Sequence, residues 1–464
     1  YWDLLEPEEG RFDFALTDYV LTKARENDLH VVFLWFGAWK NSMSCYAPAW
    51  FKKDWQRFPR ARTESGKPLE IASAFSENVF QADRKAFTTW LNHVVQNDKG
   101  HGTVVMIQIE NEIGMLESAR DHSELANKKY KGGDEERFMA EHYARYVERL
   151  AKEARKITDV PLYVNAALNS RGRKPGQYPS AGPLAHLKDI WKMYAPTVDF
   201  MSPDIYDNGY KSWVEQYAFE GNPLFIPEIR RDENCGVKAF YAFGEKDALG
   251  FSPFSIEDSP KDTKLKQAYD CLHQLAPYII KYRGTDAMSG VLFDQEDRDT
   301  TLVFQETQNP ILRCAHFFTL PWDSRATDGS TWPEGGGIII RLAPMEYLVA
   351  GSGIVVTFEN QREAAAQQQL GEDGFVLAGE SSNASISSTM STTSTISKNS
   401  TSSKNSEKIS SRLGILSCDQ VTVSPDGTLN YLRRLNGDQD HQGRHVRIGV
   451  DDFQILHVKL YEYR

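Results

Sequence analysis

Apolar residues cluster along the first 282 positions in two alternating rhythms. Val31-Val32-Phe33-Leu34-Trp35 is a compact apolar run after the polar stop Glu26-Asn27-Asp28. Phe87, Trp90, Leu91, Val94 and Val95 repeat at helical spacing and predict one buried helix face. A strand follows over Thr103–Ile109, then a second helical stripe of Tyr143, Val147, Leu150, Ala151 and Ala154. Short strands are predicted at Leu162–Asn165, Val198–Met201 and Leu224–Ile226, with a weaker one at Ala248–Phe251 and a closing helix over Leu265–Tyr282. Strands alternating with helices imply parallel βα units, as a barrel or a doubly wound sheet. No GxGxxG or GxxxxGK[ST] loop follows any strand, which lowers the nucleotide-binding alternative. The expected fold is α/β: a (β/α)₈ barrel over 1–284. Six or seven strands are countable, and Tyr1–Phe14 reads as the loop after an earlier strand. The chain, which opens on Tyr1 rather than Met, is therefore expected to be a fragment or processed form lacking its N-terminal barrel strand.

After about residue 285 the rhythm changes. Gly337–Leu342, Gly353–Phe358 and Phe453–Leu460 are strand-like and bounded by Gly, Asp and Asn turns. They predict an all-β sandwich over 285–464. A Ser/Thr-rich tract at 380–412 interrupts it and has almost no apolar residues, so it is expected to be a disordered insertion. Asn383-Ala384-Ser385 and Asn399-Ser400-Thr401 within it are glycosylation sequons, a pattern that chance supplies easily in such a tract.

The formal net charge of −11 argues against a nucleic-acid partner. No run of about eighteen apolar residues predicts a membrane span. Cys45, Cys235, Cys271, Cys314 and Cys418 are odd in number and widely spaced, which predicts neither a zinc site nor a disulfide framework. The histidines show no ligand spacing, so no catalytic metal and no cofactor are expected. Oligomeric state and compartment stay open, with an extracytoplasmic location favoured.

Two acidic motifs carry the chemistry. Gln108-Ile109-Glu110-Asn111-Glu112-Ile113-Gly114 follows the apolar run Val104–Ile107, and Pro227-Glu228-Ile229-Arg230 follows Leu224-Phe225-Ile226. Each places a carboxylate at the C-terminal end of a strand, where barrel enzymes keep their reactive groups. Two such carboxylates suit retaining glycoside cleavage, one as acid/base and one as nucleophile. Alternation puts Glu110 and Glu112 on the same side of their strand, so periodicity alone leaves either as the acid/base. Glu228 is the candidate nucleophile, with Arg230 two residues on to favour its charge. Asn111 is a candidate donor to a sugar 2-hydroxyl. Tyr206 is the best aromatic candidate, its hydroxyl placed to orient Glu228. Trp35, Phe36, Trp39, Tyr46, Trp50, Phe251 and Phe254 also fall near strand ends, and most are expected to be core.

These motifs resemble glycoside hydrolase family 35, the β-galactosidase family of the retaining clan A barrels. Tyr1-Trp2 with Glu6–Phe14 is similar to its early loop signature, and Pro48-Ala49-Trp50 to a later one. The resemblance covers about residues 1–282. It implies Glu112 rather than Glu110 as acid/base and Glu228 as nucleophile. Asn111, Tyr206, Trp39 and Asn41 are the expected substrate-binding residues, and the substrate a terminal β-D-galactoside or related oligosaccharide. The stretch Trp35–Asn41 departs from the family's Arg-Pro-Gly-Pro-Tyr, and no Ala-Glu-Trp follows. Two alternatives therefore stand beside the galactosidase: the same chemistry on a glucoside or arabinoside, and a catalytically silent sugar-binding protein.

Overall fold

The structure is a computed structural model describing all residues except 170–171, 259–262, 305–309, 321–322, 327–330, 366–410 and 440–442. Six parallel strands form one sheet in chain order: β1 (Val31–Lys40), β2 (Val104–Asn111), β3 (Leu162–Ala167), β4 (Phe200–Ile205), β5 (Phe225–Ile229) and β6 (Gly250–Pro253). Helices connect them, giving a curled partial (β/α)₈ barrel. Strands with both faces covered read as apolar runs, which is why β2, β3 and β5 stood out in the sequence, whereas β6, Gly-Phe-Ser-Pro, gave only a weak signal.

Helices α1 (Ala15–Glu26), α2 (Glu77–Asp98) and α3 (Glu135–Arg155) are amphipathic, and the shorter α4 (Lys188–Tyr194) and α5 (Tyr210–Tyr217) follow β3 and β4. The Ser76 hydroxyl caps α2 by accepting from the Val79 N–H, and the Asp134 carboxylate caps α3 by accepting from the Arg137 N–H at 2.9 Å. The stripe Phe87, Trp90, Leu91 and Val94 on α2 is buried, and so is Tyr143, Val147, Leu150, Ala151 and Ala154 on α3. Each fully buried large apolar side chain stabilises by about 1.5–3 kcal/mol. Tyr163, Phe200 and Phe225 pack together with Val32 and Met106, a cluster drawn from five of the six strands.

The second part is a β-sandwich. One sheet holds β7 (Met288–Phe293), β10 (Gly335–Ala343), β11 (Glu346–Ser352), β13 (Arg412–Val423), β14 (Leu429–Arg434) and β16 (Gln454–Tyr463), in the order β14-β13-β16-β11-β10-β7. The other holds β8 (Asp299–Val303), β9 (Ile311–His316), β12 (Ile354–Glu359) and β15 (His445–Ile448), in the order β8-β9-β12-β15. All its pairings are antiparallel. Leu312, Val356 and Phe358 from one sheet and Ile339, Val349 and Leu456 from the other share one core.

The compact units do not divide at residue 284. One comprises Tyr1–Arg230 with Ala248–Phe254; the other comprises Arg231–Asp247 with Ser255–Arg464. Helices α6 (Cys235–Lys246), which falls within the expected barrel span, and α7 (Thr263–Tyr282), expected to close the barrel, belong to the β-rich unit. Within that unit α6 lies directly on β7. A Cβ at Gly290 would stand 2.7 Å from the Glu245 amide nitrogen.

Most of the Ser/Thr-rich tract, both sequons included, lies outside the described residues. Its expected end does not hold. Arg412 opens β13, and Ser411 accepts hydrogen bonds from Asn360. No described helix is long and apolar enough to cross a membrane. Cys235, Cys271, Cys314 and Cys418 are buried and Cys45 is half-buried, without a disulfide among them.

Candidate active site

The local backbone at the end of β2 separates the two glutamates that periodicity could not. Glu110 and Glu112 both adopt left-handed conformations, at φ 57° and 47°. Such angles are uncommon outside glycine and cost on the order of 1–3 kcal/mol each, so the surrounding structure must impose them. The turn at Glu110 breaks the alternation and sends its side chain into the protein. There one oxygen accepts from the Trp39 N–H at 2.8 Å, and the carboxyl meets that of Asp83 from α2. Asp83 in turn accepts from the Trp35 indole at 2.9 Å and the Tyr146 hydroxyl at 2.7 Å. Burial, then the facing Asp83 charge, pushes Glu110 well above the usual carboxylate range. Glu110 is thus an interior acid.

Glu112 is held by its backbone. Its N–H donates to Asn165 Oδ1 at 3.0 Å, and its carbonyl accepts from the Ser42 N–H at 3.1 Å and hydroxyl at 3.0 Å. Its carboxyl joins two others. In the register of β4 and β5, Asp204 stands opposite Glu228. One oxygen from each of Glu112, Asp204 and Glu228 lies within 4.8 Å of the other two. Glu112 and Asp204 also hydrogen-bond to each other through their carboxyl groups. Burial, then the Glu228 charge, raises the proton affinity of Glu112; the hydrogen bond to Asp204 and the Lys40 ammonium oppose the rise. Asp204 is raised further, by burial first and then by Glu228 and Glu112.

Glu228 meets two donors. The Tyr206 hydroxyl donates to Oε2 at 2.7 Å, and Asn111 Nδ2 approaches Oε1 at 3.4 Å. Burial, then this bond to Glu228, lifts the Tyr206 phenol above its ordinary range, so it remains a donor. Phe254 stands edge-on to the Tyr206 ring, with centroids 6.0 Å apart, and is exposed.

The other expected residues fare differently. Asn111 belongs to the cluster, and its Oδ1 accepts from the Asn41 N–H at 3.4 Å. Asn41 meets Asn111 through its backbone, while its side-chain oxygen accepts from Lys40. Trp39 is not at a surface a sugar could reach. It is completely buried, its ring edge-on to Tyr143 and Tyr146. Arg230 does not pair with Glu228. Its guanidinium donates to the Tyr206 carbonyl at 2.7 and 2.9 Å, fixing the residue that holds Glu228.

Asp204, Asn165 and Lys40 were not expected. The signal for Asp204 was present, since it too is a carboxylate at the end of a buried strand. It shares a face with Phe200 and Ser202 by alternation.

The three carboxyls are the one group among the described residues close enough to chelate a cation. Their surroundings favour proton sharing instead. Asn165, Asn111 and Tyr206 already direct donors at them, and two of the three bond to each other. A groove of about 340 Å³ along α1 and β1, lined by Leu16, Val20, Phe33 and Trp90 among others, shares no residue with this cluster.

Residues 1–157 match the glycoside hydrolase family 42 model, described as Beta-galactosidase. Family 35 is not supported. The resemblance to clan A glycosidases runs through family 42. Glu112 lies inside the matched stretch. Asp204, Tyr206 and Glu228 lie beyond it. Residues 265–447 match a domain of unknown function, DUF5597.

No curated protein matches the chain. Among solved structures, a β-galactosidase from Bacillus circulans sp. alkalophilus is 13% identical, with a TM-score of 0.40, over 55% of this chain and 44% of its own. One from the psychrophilic Marinomonas ef1 is 14% identical, with a TM-score of 0.42, over 55% of this chain and 48% of its own. An endogalactoceramidase is 12% identical, with a TM-score of 0.35, over 99% of this chain and 85% of its own. The chain thus spans less than half the length of the two β-galactosidases.

Proposed function

We propose that this protein is a retaining exo-glycosidase that hydrolyses terminal β-D-galactosyl linkages, with Glu112 as acid/base and Glu228 as nucleophile. The observation that carries the reading is the carboxyl spacing. Retaining enzymes hold their pair about 5–5.5 Å apart, inverting ones about 6.5–9.5 Å to admit a water. The nearest Glu112 and Glu228 oxygens lie within 4.8 Å of each other, which puts the two carboxyls in the close-paired range rather than at opposite sides of a wide cleft. The family 42 match over 1–157 supports the galactosyl assignment.

In the first half-reaction a Glu228 oxygen bonds to the anomeric carbon from one face. The bond to the leaving oxygen breaks, and Glu112 delivers a proton to that oxygen. The Tyr206 hydroxyl holds Glu228 in line, and Asn111, whose Nδ2 stands 3.4 Å from Glu228 Oε1, is the donor for a sugar 2-hydroxyl. In the second half-reaction water attacks the same carbon, gives its proton to Glu112, and releases Glu228 as carboxylate.

Hydrolysis rates on a panel of nitrophenyl β-galactoside, β-glucoside and α-arabinoside test this. The expected result is fastest turnover of the galactoside with a β-configured first product. A faster glucoside or arabinoside would move the sugar assignment. Sugar binding without any turnover would sink the enzymatic reading.

A further inference from the structure

We propose that Asp204 is a positioning residue for the acid/base. It shares a proton with Glu112 and so keeps Glu112 in the protonated form that cleavage of the glycosidic bond consumes. The inference rests on the glycosidase reading and deepens it.

The argument begins with Asn165. The Glu112 N–H can only donate, so the Asn165 atom facing it is the carbonyl oxygen, at 3.0 Å. The amide nitrogen must then face the other way, and it donates to Asp204 Oδ2 at 2.6 Å. Asn165 therefore ties the backbone of Glu112 to the side chain of Asp204. The remaining oxygen, Asp204 Oδ1, is buried, and no amide or hydroxyl donor among the described residues reaches it. The group Asp204 meets is the Glu112 carboxyl. Two carboxyls in hydrogen-bond contact need a proton between them, since both ionised forms only accept.

The charged surroundings point the same way. Glu228 stands opposite Asp204 in the sheet and adds negative charge to both partners. The Lys40 ammonium opposes this from the end of β1. Tyr206, Tyr163 and Tyr217 are the other titratable groups that feel Asp204, and all three phenols are raised, by burial first. They stay neutral and add no charge.

The charge balance through the reaction is then simple. In the resting site the Glu112–Asp204 pair carries one proton and one negative charge, and Glu228 carries another. When Glu228 forms its ester, its negative charge disappears as the pair gives its proton to the leaving oxygen. The total charge of the three groups does not change. Water returns a proton to the pair in the second half-reaction as Glu228 leaves.

The test replaces Asp204 by Asn in the full chain and follows kcat/KM against pH on a β-galactoside with a weakly acidic leaving group. The neutral amide can donate to Glu112 but cannot repel its charge. The basic limb should therefore move to lower pH, by about one unit, a tenfold loss of proton affinity. A strongly acidic phenol as leaving group should hide most of the effect. A uniform loss at every pH, with the basic limb unmoved, would reduce Asp204 to an anchor for Asn165 and overturn the proposal.

A second readout needs no turnover. With the pair's proton affinity raised above its unfolded value, the thermal midpoint of the parent should fall as pH rises above the ordinary carboxylate range. The fall should be shallower in Asp204→Asn. Equal slopes would overturn the shared proton. Should Asp204→Asn not fold, Asp204→Ser reports both quantities. Failure of the parent to cleave any glycoside would sink the functional reading, while the midpoint slopes would still decide whether the proton is shared.

Discussion

At the scale of single residues, Glu112 and Glu228 differ in what touches them, and this predicts different defects. On the proposed roles, Glu228→Gly removes the nucleophile and should depress every substrate alike. Glu112→Ala removes a proton donor, so its loss should grow as the leaving group becomes less acidic. Azide should rescue Glu112→Ala by attacking the accumulated glycosyl-enzyme, and the product should be the β-azide. Glu228→Gly should give at most the α-azide. Equal losses on all leaving groups and no response to azide would remove Glu112 from the acid/base role. The grouping of Glu112 with Glu228 was legible because each follows a short apolar run, Val104–Ile107 and Leu224–Ile226, whereas Tyr206 follows Ser202-Pro203-Asp204-Ile205 and was singled out only as an aromatic near a strand end. Trp39 was misread because its place at a strand end says nothing of which way the ring turns. It turns inward, against Tyr143 and Tyr146. Asp204 was passed over because glycoside cleavage calls for two carboxylates and this is a third.

At the scale of elements, the end of β2 is shaped by what α2 and β1 place beneath it. The Asp83–Glu110 pair is fully buried, and burial raises the proton affinity of both. Their folded values lie above the unfolded ones, so the native state keeps a proton that the unfolded chain gives up. Stability from this source is present at low pH and lost as pH rises through the raised values. Glu110→Gln should flatten that decline, read as the thermal midpoint between about pH 4.5 and 8. A slope as steep as the parent's would show that the pair does not hold the proton. Gly37 on β1 makes room for the pair. A Cβ there would stand 2.5 Å from Asp83 Oδ1 and 2.9 Å from Glu110 Oε1. Gly37→Ala should destabilise by about 1–3 kcal/mol, as overpacked cores do, visible as a lower denaturant midpoint at unchanged slope. An unchanged midpoint would mean the pair can shift aside. The strands and helices themselves were readable from periodicity. The left-handed turns at Glu110 and Glu112 were not, because glutamate does not announce a positive φ and only tertiary contacts can hold it there.

At the scale of the whole molecule, the two compact units interleave along the chain. The path leaves the first at Arg230, builds α6 in the second, and returns for Ala248–Phe254. Periodicity counted α6 and α7 as barrel helices because a βα rhythm specifies a helix, not the sheet it will cover. A piece ending at 230 lacks β6, the partner of β5. A piece ending at 254 exposes Val237 and Phe240 of α6, both buried in the intact protein. Neither piece is expected to melt cooperatively by calorimetry, whereas the full chain should. A sharp, reversible transition from residues 1–230 would show that the first unit stands alone.

The interleaving also bears on ancestry. An accessory domain appended after a finished barrel can be lost or exchanged through a single recombination event. Here any such exchange would also remove α6 from between two barrel strands, so a replacement must arrive with its own segment to bridge Arg230 and Ala248. Lineages carrying this arrangement should therefore inherit both parts as a unit, with shuffled variants rare.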